Sequence, residues 1–305
     1  MKAFVISMNT PVGRDRLKRF RQRMDGFEIE VVEGINGKNS VSDQTTAACK
    51  LFCTPAMIGT SLSHMECWKR VVQRGLDAAL VFEDDAVVVP DFEKKLRRVM
   101  LEQSEYDVLL LGCFHCSATL QKLLLVKNQR STGSLRPVKY FNGSHAYVVT
   151  NKGARALLEA TQSKAAYHID FHMSLLPGLK ILAVKDDLAF QEDMSTSSIA
   201  SSANGASFPG TLNTILSTIK TDKNVSWNYI FNVPICRIGP VTITLWSFIF
   251  ISLGALTGRS ATWSFLEWAL VLAALDMLLV PPHNPSDVVS KAGLFLGGHL
   301  FMKQN

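Results

Sequence analysis

The sequence predicts an α/β fold: a mainly parallel sheet flanked by helices, followed by a C-terminal apolar helical hairpin. Three observations carry this. Short apolar runs, such as Ala78–Phe82 and Tyr106–Gly112, alternate with longer segments of helical periodicity, the pattern of βα units. The run Ala78–Phe82 stops at Glu83-Asp84-Asp85, as a buried strand does when it ends at the ligand-facing edge of an open sheet. Beyond residue 236 the alternation gives way to long runs almost free of charge.

The elements follow in order. Ala3–Ser7 reads as the first strand and Asn9–Gly13 as a turn. Arg14–Met24 reads as a helix, with Leu17, Phe20 and Met24 on one face and Arg16, Lys18, Arg19, Arg21 and Arg23 around the rest. These arginines form a solvated basic face, or one or two of them approach phosphates. Glu28–Val32 gives a second strand and Gly34–Asn39 a glycine-rich loop. Neither a G-x-G-x-x-G nor a Walker sequence occurs, so nothing argues for a dinucleotide or P-loop site.

A helix is expected from about Ser61 to Gln73, with Ile58, Leu62, Met65, Trp68 and Val72 at helical spacing. Ser63 with Glu66 fits a capping box, and Ser61 is the alternative cap. His64 then falls in the first turn. A helix N-terminus favours anions, so Ser61, Ser63 and His64 either meet one or merely cap and pack. After the acidic run, Ala86–Val89 extends to Pro90, and Asp91 is expected to cap a helix through Phe92, Leu96, Val99 and Met100. Tyr106–Gly112 is a buried strand, 117–136 an insertion of mixed charge, and His145–Val149 a further strand. Asn151 is expected to cap a helix through Ala154, Leu157 and Leu158. His168–His172 leads a short helix ending at Pro177-Gly178, and Lys180–Val184 is the last strand of the domain.

Three adjacent carboxylates repel one another and cost desolvation. Two arrangements make them tolerable: an acidic turn facing water, or a bound cation. A hard divalent ion takes oxygen ligands, commonly one or two carboxylates together with substrate phosphates. Glu83, Asp84 and Asp85 are therefore candidates for a metal–diphosphate site.

The net charge of +6 permits phosphate-bearing partners or an anionic membrane surface but establishes neither. A nucleic-acid partner is not expected, because the basic run sits on one short helix without interleaved aromatics. The six cysteines, including the pairs Cys49/Cys53 and Cys113/Cys116, are expected to be free thiols in a reducing compartment, without a zinc site. Met1-Lys2 leads straight into Ala3–Ile6, too short for a signal-peptide core, so the domain is expected on the cytoplasmic side.

Ile238–Thr257 carries no charged residue, and its length at ~1.5 Å per residue matches a hydrocarbon core of ~30 Å. Thr262–Val280 is a second apolar run, interrupted by Glu267 and Asp276. The connector between them is short, and Gly254 and Gly258 permit close helix approach. The two runs are expected to form a membrane-associated hairpin with a transmembrane helix, the alternative being a buried helical hairpin of a soluble domain. The expected division is 1–200 as the α/β domain, 201–235 as a Ser/Thr/Asn-rich linker or lid, 236–282 as the hairpin and 283–305 as a tail.

Several short segments together resemble glycosyltransferase family 25, the lipopolysaccharide and collagen β-galactosyltransferase group. Val5-Ile6-Ser7 with Arg16 looks like the family's opening, although an Asn-Leu usual after the apolar pair is missing here. Glu33–Lys38 looks like its glycine loop, and Ile58–His64 with Trp68 is close to its most telling segment. Glu83-Asp84-Asp85 matches its acidic motif. Tyr106-Asp107-Val108, His145-Ala146-Tyr147 with Gly153-Ala154, the Asp170 segment, and Gln191 with Ser198 follow in the family's order. The resemblance ends near Ile199.

This resemblance implies a GT-A-like (Rossmann-like) domain, a nucleotide-sugar donor with UDP-galactose the commonest, Mn²⁺ or Mg²⁺, and inversion at the anomeric carbon. Asp84 and Asp85 would hold the metal, and Glu83 a ribose or a water beside it. Arg16, Ser61, Ser63, His64, His145 and Gln191 would lie on the donor or substrate side. Asp170, between two histidines, would be the general base; His168 and His172 are lesser candidates, and Asp186-Asp187 is the rival acidic pair. The acceptor would be a saccharide, a lipid-linked or lipo-oligosaccharide-like one included, or a glycoprotein. Two other classes remain open: a metal-dependent phosphohydrolase or nuclease using the same carboxylates, and a membrane-anchored sugar-binding module without catalysis.

Overall fold

The computed structural model describes residues 1–24, 27–39, 42–46, 49, 53–102, 105–113, 116, 133–139, 141–165, 168–192, 234–238, 241–259 and 285–304. The chain divides into two compact units, one of Met1–Lys50 with Pro55–Asp193, the other of Leu51–Thr54 with Met194–Asn305.

The first unit is built on β1 (Lys2–Ser7), β2 (Ile29–Glu33), β3 (Ala78–Glu83), β4 (Ala86–Val88), β5 (Val108–Leu110), β6 (Leu135–Pro137), β7 (Ala146–Thr150), β8 (Ile181–Val184) and β9 (Ala189–Gln191). Seven of these form one sheet in the order β2-β1-β3-β7-β5-β8-β6. β2, β1, β3, β5 and β8 run one way, and β7 and β6 run against them. The expected mainly parallel α/β sheet is therefore present, with two reversed strands. β4 and β9 form a separate antiparallel ribbon.

The helices are α1 (Pro11–Arg23), α2 (Pro55–Gln73), α3 (Phe92–Met100), α4 (Asn151–Thr161) and α5 (Ile169–Leu175). Strand alternation turns Ala3, Val5, Leu80 and Phe82 into one core with Phe20 of α1 and Phe92 of α3. Phe82 lies 5.2 Å from the Phe20 ring and 5.9 Å from the Phe92 ring, so one side chain knits both helices to the sheet. Burying a side chain of that size is worth about 2–3 kcal/mol. Gly37 and Gly59 seat the glycine loop on α2. A Cβ at Gly37 would stand 1.9 Å from the Pro55 carbonyl oxygen, and one at Gly59 2.2 Å from that of Ile35.

Several local expectations are corrected. α1 begins at Pro11, inside the expected turn, because Thr10 caps it by accepting from the Gly13 N–H at 3.1 Å and Pro suits the first helical position. α2 begins at Pro55, so Ser61, Ser63 and His64 are interior residues and neither serine caps the helix. Asp91 precedes α3 in a left-handed conformation, with no side-chain cap bond. Thr150, not Asn151, caps α4; the Asn151 amide instead donates to the Val71 and Leu76 carbonyls. Lys180–Val184 is not the last strand of this unit, since β9 follows and pairs with β4. Cys113 and Cys116 form a disulfide rather than free thiols, the end of β5 bringing their Cα atoms to 6.0 Å. Cys49, Cys53 and Cys67 are buried thiols. The expected insertion lies outside the described residues from 117 to 132, and so does all of the linker up to 233.

The second unit also departs from expectation. The uncharged run starting at Ile238 is not one helix. β10 (Pro234–Ile238) and β11 (Val241–Thr244) form an antiparallel ribbon, and α6 (Leu245–Arg259) starts only after it. Thr244 and Ser247 cap α6 reciprocally, each side-chain oxygen accepting from the other residue's N–H. Fifteen residues rise only about 22 Å at 1.5 Å each. No helix among the described residues is long and apolar enough to cross a membrane. The transmembrane helix is thus overturned over 238–257, while 262–280 lies outside the described residues. α6 packs on α7 (Pro285–Gln304), where Gly254 and Gly298 allow the backbones to touch. Gly254 thus serves the close approach expected of it, but toward α7.

Candidate active site

The site is assembled by register. β1 and β3 end together, with Ile6 opposite Glu83 and the Asp84 N–H donating to the Ile6 carbonyl at 3.1 Å. β7 runs antiparallel to β3, so the turn before it, Gly143–His145, lies at the same edge. The Glu83 N–H donates to the His145 carbonyl at 2.9 Å. The β4–β9 ribbon sets Ala86 opposite Gln191 and brings Gln191 beside Asp85.

Asp84 and Asp85 are buried polar residues, 8% and 5% exposed, so the acidic turn facing water is not what this edge forms. Ser7 Oγ donates to Asp84 Oδ2 at 2.7 Å, and Gln191 Nε2 donates to Asp85 Oδ2 at 3.1 Å. Arg16 Nη1 stands 3.7 Å from Asp84 Oδ1 and 3.6 Å from Asp85 Oδ2. Burial pushes the Asp84 carboxyl up to about 6 against the pull of Ser7 and Arg16. Burial, then the Glu83 charge, also raises Asp85, with Gln191 and Arg16 opposing. Oδ1 of Asp85 is buried with no hydrogen-bond partner.

Glu83 is the partly exposed member of the three. Burial drives its carboxyl up, but His64, His145 and the Ser144 hydroxyl outweigh that and hold it below the usual carboxylate range. Its Oε1 lies 3.4 Å from His64 Nε2 and accepts from Ser144 Oγ at 3.3 Å. His64 Nδ1 lies 2.9 Å from the Tyr147 hydroxyl, which also accepts the Trp68 Nε1–H at 2.9 Å. An ionised Glu83 can only accept, so a neutral His64 facing it carries its proton on Nε2 and takes the Tyr147 hydroxyl proton at Nδ1.

Asp170 is in the first turn of α5, 1% exposed. Its Oδ2 accepts from the Gly143 N–H at 2.7 Å and lies 3.6 Å from His168 Nδ1, and its Oδ1 is buried without a partner. The Gly143–His145 turn therefore grips Asp170 by one end and Glu83 by the other. His145 feels both charges, although burial lowers its own basicity. Its Nε2 lies 3.4 Å from the Ala189 carbonyl oxygen.

Of the residues expected from sequence, Arg16, His64, Glu83, Asp84, Asp85, His145, Asp170 and Gln191 converge on this edge. Ser63 is turned elsewhere: it donates to the Gly59 carbonyl at 2.7 Å and accepts from the Ile35 N–H at 2.8 Å, tying the glycine loop to α2. Ser61 is buried inside the same helix. Ser7 and Ser144 were not expected at the site. Their only signal is position: each is a small hydroxyl residue at the strand ends that flank the acids. Among the described residues no group of three or more His, Cys, Asp or Glu side chains could by itself hold a metal ion.

A mainly parallel α/β sheet with buried, partly uncompensated carboxylates at its strand ends makes this edge the candidate active site. The chain belongs to glycosyltransferase family 25 (LPS biosynthesis protein), whose model matches residues 1–173. Human procollagen galactosyltransferase 2 is 28% identical over 167 residues, covering 48% of this chain and 25% of that protein. The human inactive glycosyltransferase 25 family member 3 is 40% identical over 63 residues, 19% of this chain and 11% of that protein. The chain thus spans a quarter or less of these relatives' length. A crystal structure of a glycosyltransferase involved in glycosylation of the major capsid of PBCV-1 aligns with a TM-score of 0.36 at 12% identity, covering 66% of this chain and 97% of that one. At that likeness, the fold rests on the sheet described above.

Proposed function

We propose that this chain is an inverting, GT-A-like glycosyltransferase that moves a hexose, most simply galactose from UDP-galactose, to a saccharide or glycoprotein hydroxyl. The observation that carries this reading is the pair Asp84 and Asp85: buried, raised by burial, and with Oδ1 of Asp85 unpartnered. Such a pair fits a divalent cation, which needs few protein ligands when a diphosphate supplies the rest. Asp84 and Asp85 would hold Mn²⁺ or Mg²⁺, and the ion would supply a Lewis acid to the leaving diphosphate. Ser7 and Gln191 fix the orientation of the two carboxylates. Glu83, kept ionised by its partners, is left to accept hydrogen bonds from the sugar or ribose hydroxyls of the donor. Asp170 is the candidate to take the acceptor proton, on its unpartnered Oδ1.

The test offers purified protein a panel of nucleotide-sugars and a saccharide acceptor, with Mn²⁺ or with a chelator, and reads products by mass spectrometry. Transfer of galactose that stops on chelation, and is absent in a folded Asp85→Ala variant, is the expected result. Hydrolysis without transfer would favour the phosphohydrolase reading. A second reading, donor binding without turnover, is favoured by Arg16, whose guanidinium already offsets both carboxylates without a cation. Nucleotide-sugar binding with no product from any donor would select it.

A further inference from the structure

Arg16 stands within 4 Å of one oxygen on each of Asp84 and Asp85, the two side chains assigned to the cation, while the second oxygen of Asp85 has no partner. A guanidinium and a divalent ion seek the same negative pair and repel each other there. We propose that Arg16 is an internal competitor for the metal, which leaves the carboxylates when the donor diphosphate arrives and transfers its contact to that diphosphate. This inference rests on the glycosyltransferase reading.

Three features of the chain support it. Arg16 lies in the second turn of α1, which Thr10 caps at the carboxyl end of β1, so its side chain extends over the edge where a diphosphate would sit. The helix itself is anchored separately. Arg19 and Arg23, one and two turns further on, hold Glu192 at 3.0 and 2.8 Å, and Glu192 N–H donates to the Asp85 carbonyl at 2.7 Å. α1 and the end of β9 are thus tied to each other by contacts that do not involve Arg16. Finally, Arg16 meets both carboxylates through the one nitrogen Nη1, at 3.7 and 3.6 Å, whereas a diphosphate offers its planar fork a bidentate partner.

The consequence is reciprocal coupling. Without diphosphate the site binds the cation weakly, and each ligand strengthens the other. The experiment measures Mn²⁺ binding to the full chain by the loss of the free-ion electron spin resonance signal, with and without UDP, in wild type, Arg16→Met and Arg16→Lys. In wild type UDP is expected to tighten Mn²⁺ binding by about tenfold or more. In Arg16→Met, Mn²⁺ alone binds about tenfold more tightly and the effect of UDP shrinks by about that factor, leaving the part that comes from the diphosphate's own ligation of the ion. Arg16→Lys keeps a competing charge without the fork, so Mn²⁺ alone stays weak while the UDP effect shrinks. Unchanged coupling in both variants, with wild type binding both ligands, overturns this inference and leaves the glycosyltransferase reading standing. Failure of wild type to bind either ligand overturns both.

Discussion

Gln191 donates its side-chain amide to Oδ2 of Asp85 at 3.1 Å, joining the last residue of β9 to the acid edge of the sheet across 106 positions of sequence. The bond favours the charged carboxylate over the neutral one, against the burial that raises Asp85. Gln191→Met keeps the side-chain length and removes the donor. The expected outcome is a fold that melts as before and a transfer rate about tenfold lower, with a larger metal requirement. Steady-state kinetics against Mn²⁺ concentration checks it, and an unchanged metal requirement would assign Gln191 to holding the ribbon alone.

The Tyr147 hydroxyl is the shared partner of two buried donors or acceptors, Trp68 Nε1 and His64 Nδ1, each at 2.9 Å. Tyr147→Phe leaves both without a partner in a buried setting. Each such orphan costs about 1–3 kcal/mol, so a loss of about 2–4 kcal/mol is expected in urea unfolding. The same change frees the His64 tautomer, so the affinity for nucleotide-sugar should fall as well, because Glu83 loses a fixed Nε2–H donor.

The acid edge was legible in the sequence because its conflict is local: an apolar strand ending in three carboxylates needs an explanation within a few residues. Strand and helix alternation was legible for the same reason from Lys2 to Val184, except at β6, whose Leu135 and Arg136 were expected to belong to the insertion. The start of α2 was not. Pro55–Met65 is buried on nearly every side, with Ser61, Ser63 and His64 as buried as Met57, Ile58, Leu62 and Met65, so periodicity marks no boundary and Ser63/Glu66 imitates a cap. Pro55, which suits a first helical turn, was the usable signal. β9 is only three residues long and takes its conformation from β4, so no alternation in its own sequence reveals it. The partnership of Ser7 with Asp84 spans 77 positions and follows only from the pairing of β1 with β3. In the C-terminal part, an absence of charge was read as one helix, although the sequence holds the turn signal Gly239-Pro240 within that run.

Glu30 on β2 offers a test of stability that leaves the site untouched. Hydrogen bonds from Arg74, then from Arg70, hold its carboxyl at about 2 against the usual 4.5, burial opposing. A carboxyl depressed on folding stabilises the fold above its unfolded value, and that contribution is lost as pH falls from about 4.5 toward 2. Arg74 is 44% exposed, so solvent screening limits the gain to on the order of 1 kcal/mol. Glu30→Gln should therefore be about 1 kcal/mol less stable than wild type at pH 7, with the difference gone by about pH 2. Urea titrations at pH 7, 4 and 2 check it, and a difference independent of pH would locate the loss in packing instead.

Asp170 is the residue on which the direction of proton transfer turns. Its Oδ2 is committed to the Gly143 N–H, and its Oδ1 is buried with no partner. Asp170→Asn can keep an oxygen facing Gly143 while removing the capacity to accept a proton. If Asp170 serves as general base, the variant should lose about 100-fold or more in kcat, within the usual worth of such a group, while the KM for donor stays within a few-fold. Donor binding measured separately by calorimetry should match wild type, because Glu83, Asp84 and Asp85 keep their own partners. A variant that transfers sugar at the wild-type rate would leave Asp170 as the anchor of the Gly143–His145 turn. A variant that loses donor affinity and rate together would mean that this turn, and through it Glu83, depends on the Asp170 charge.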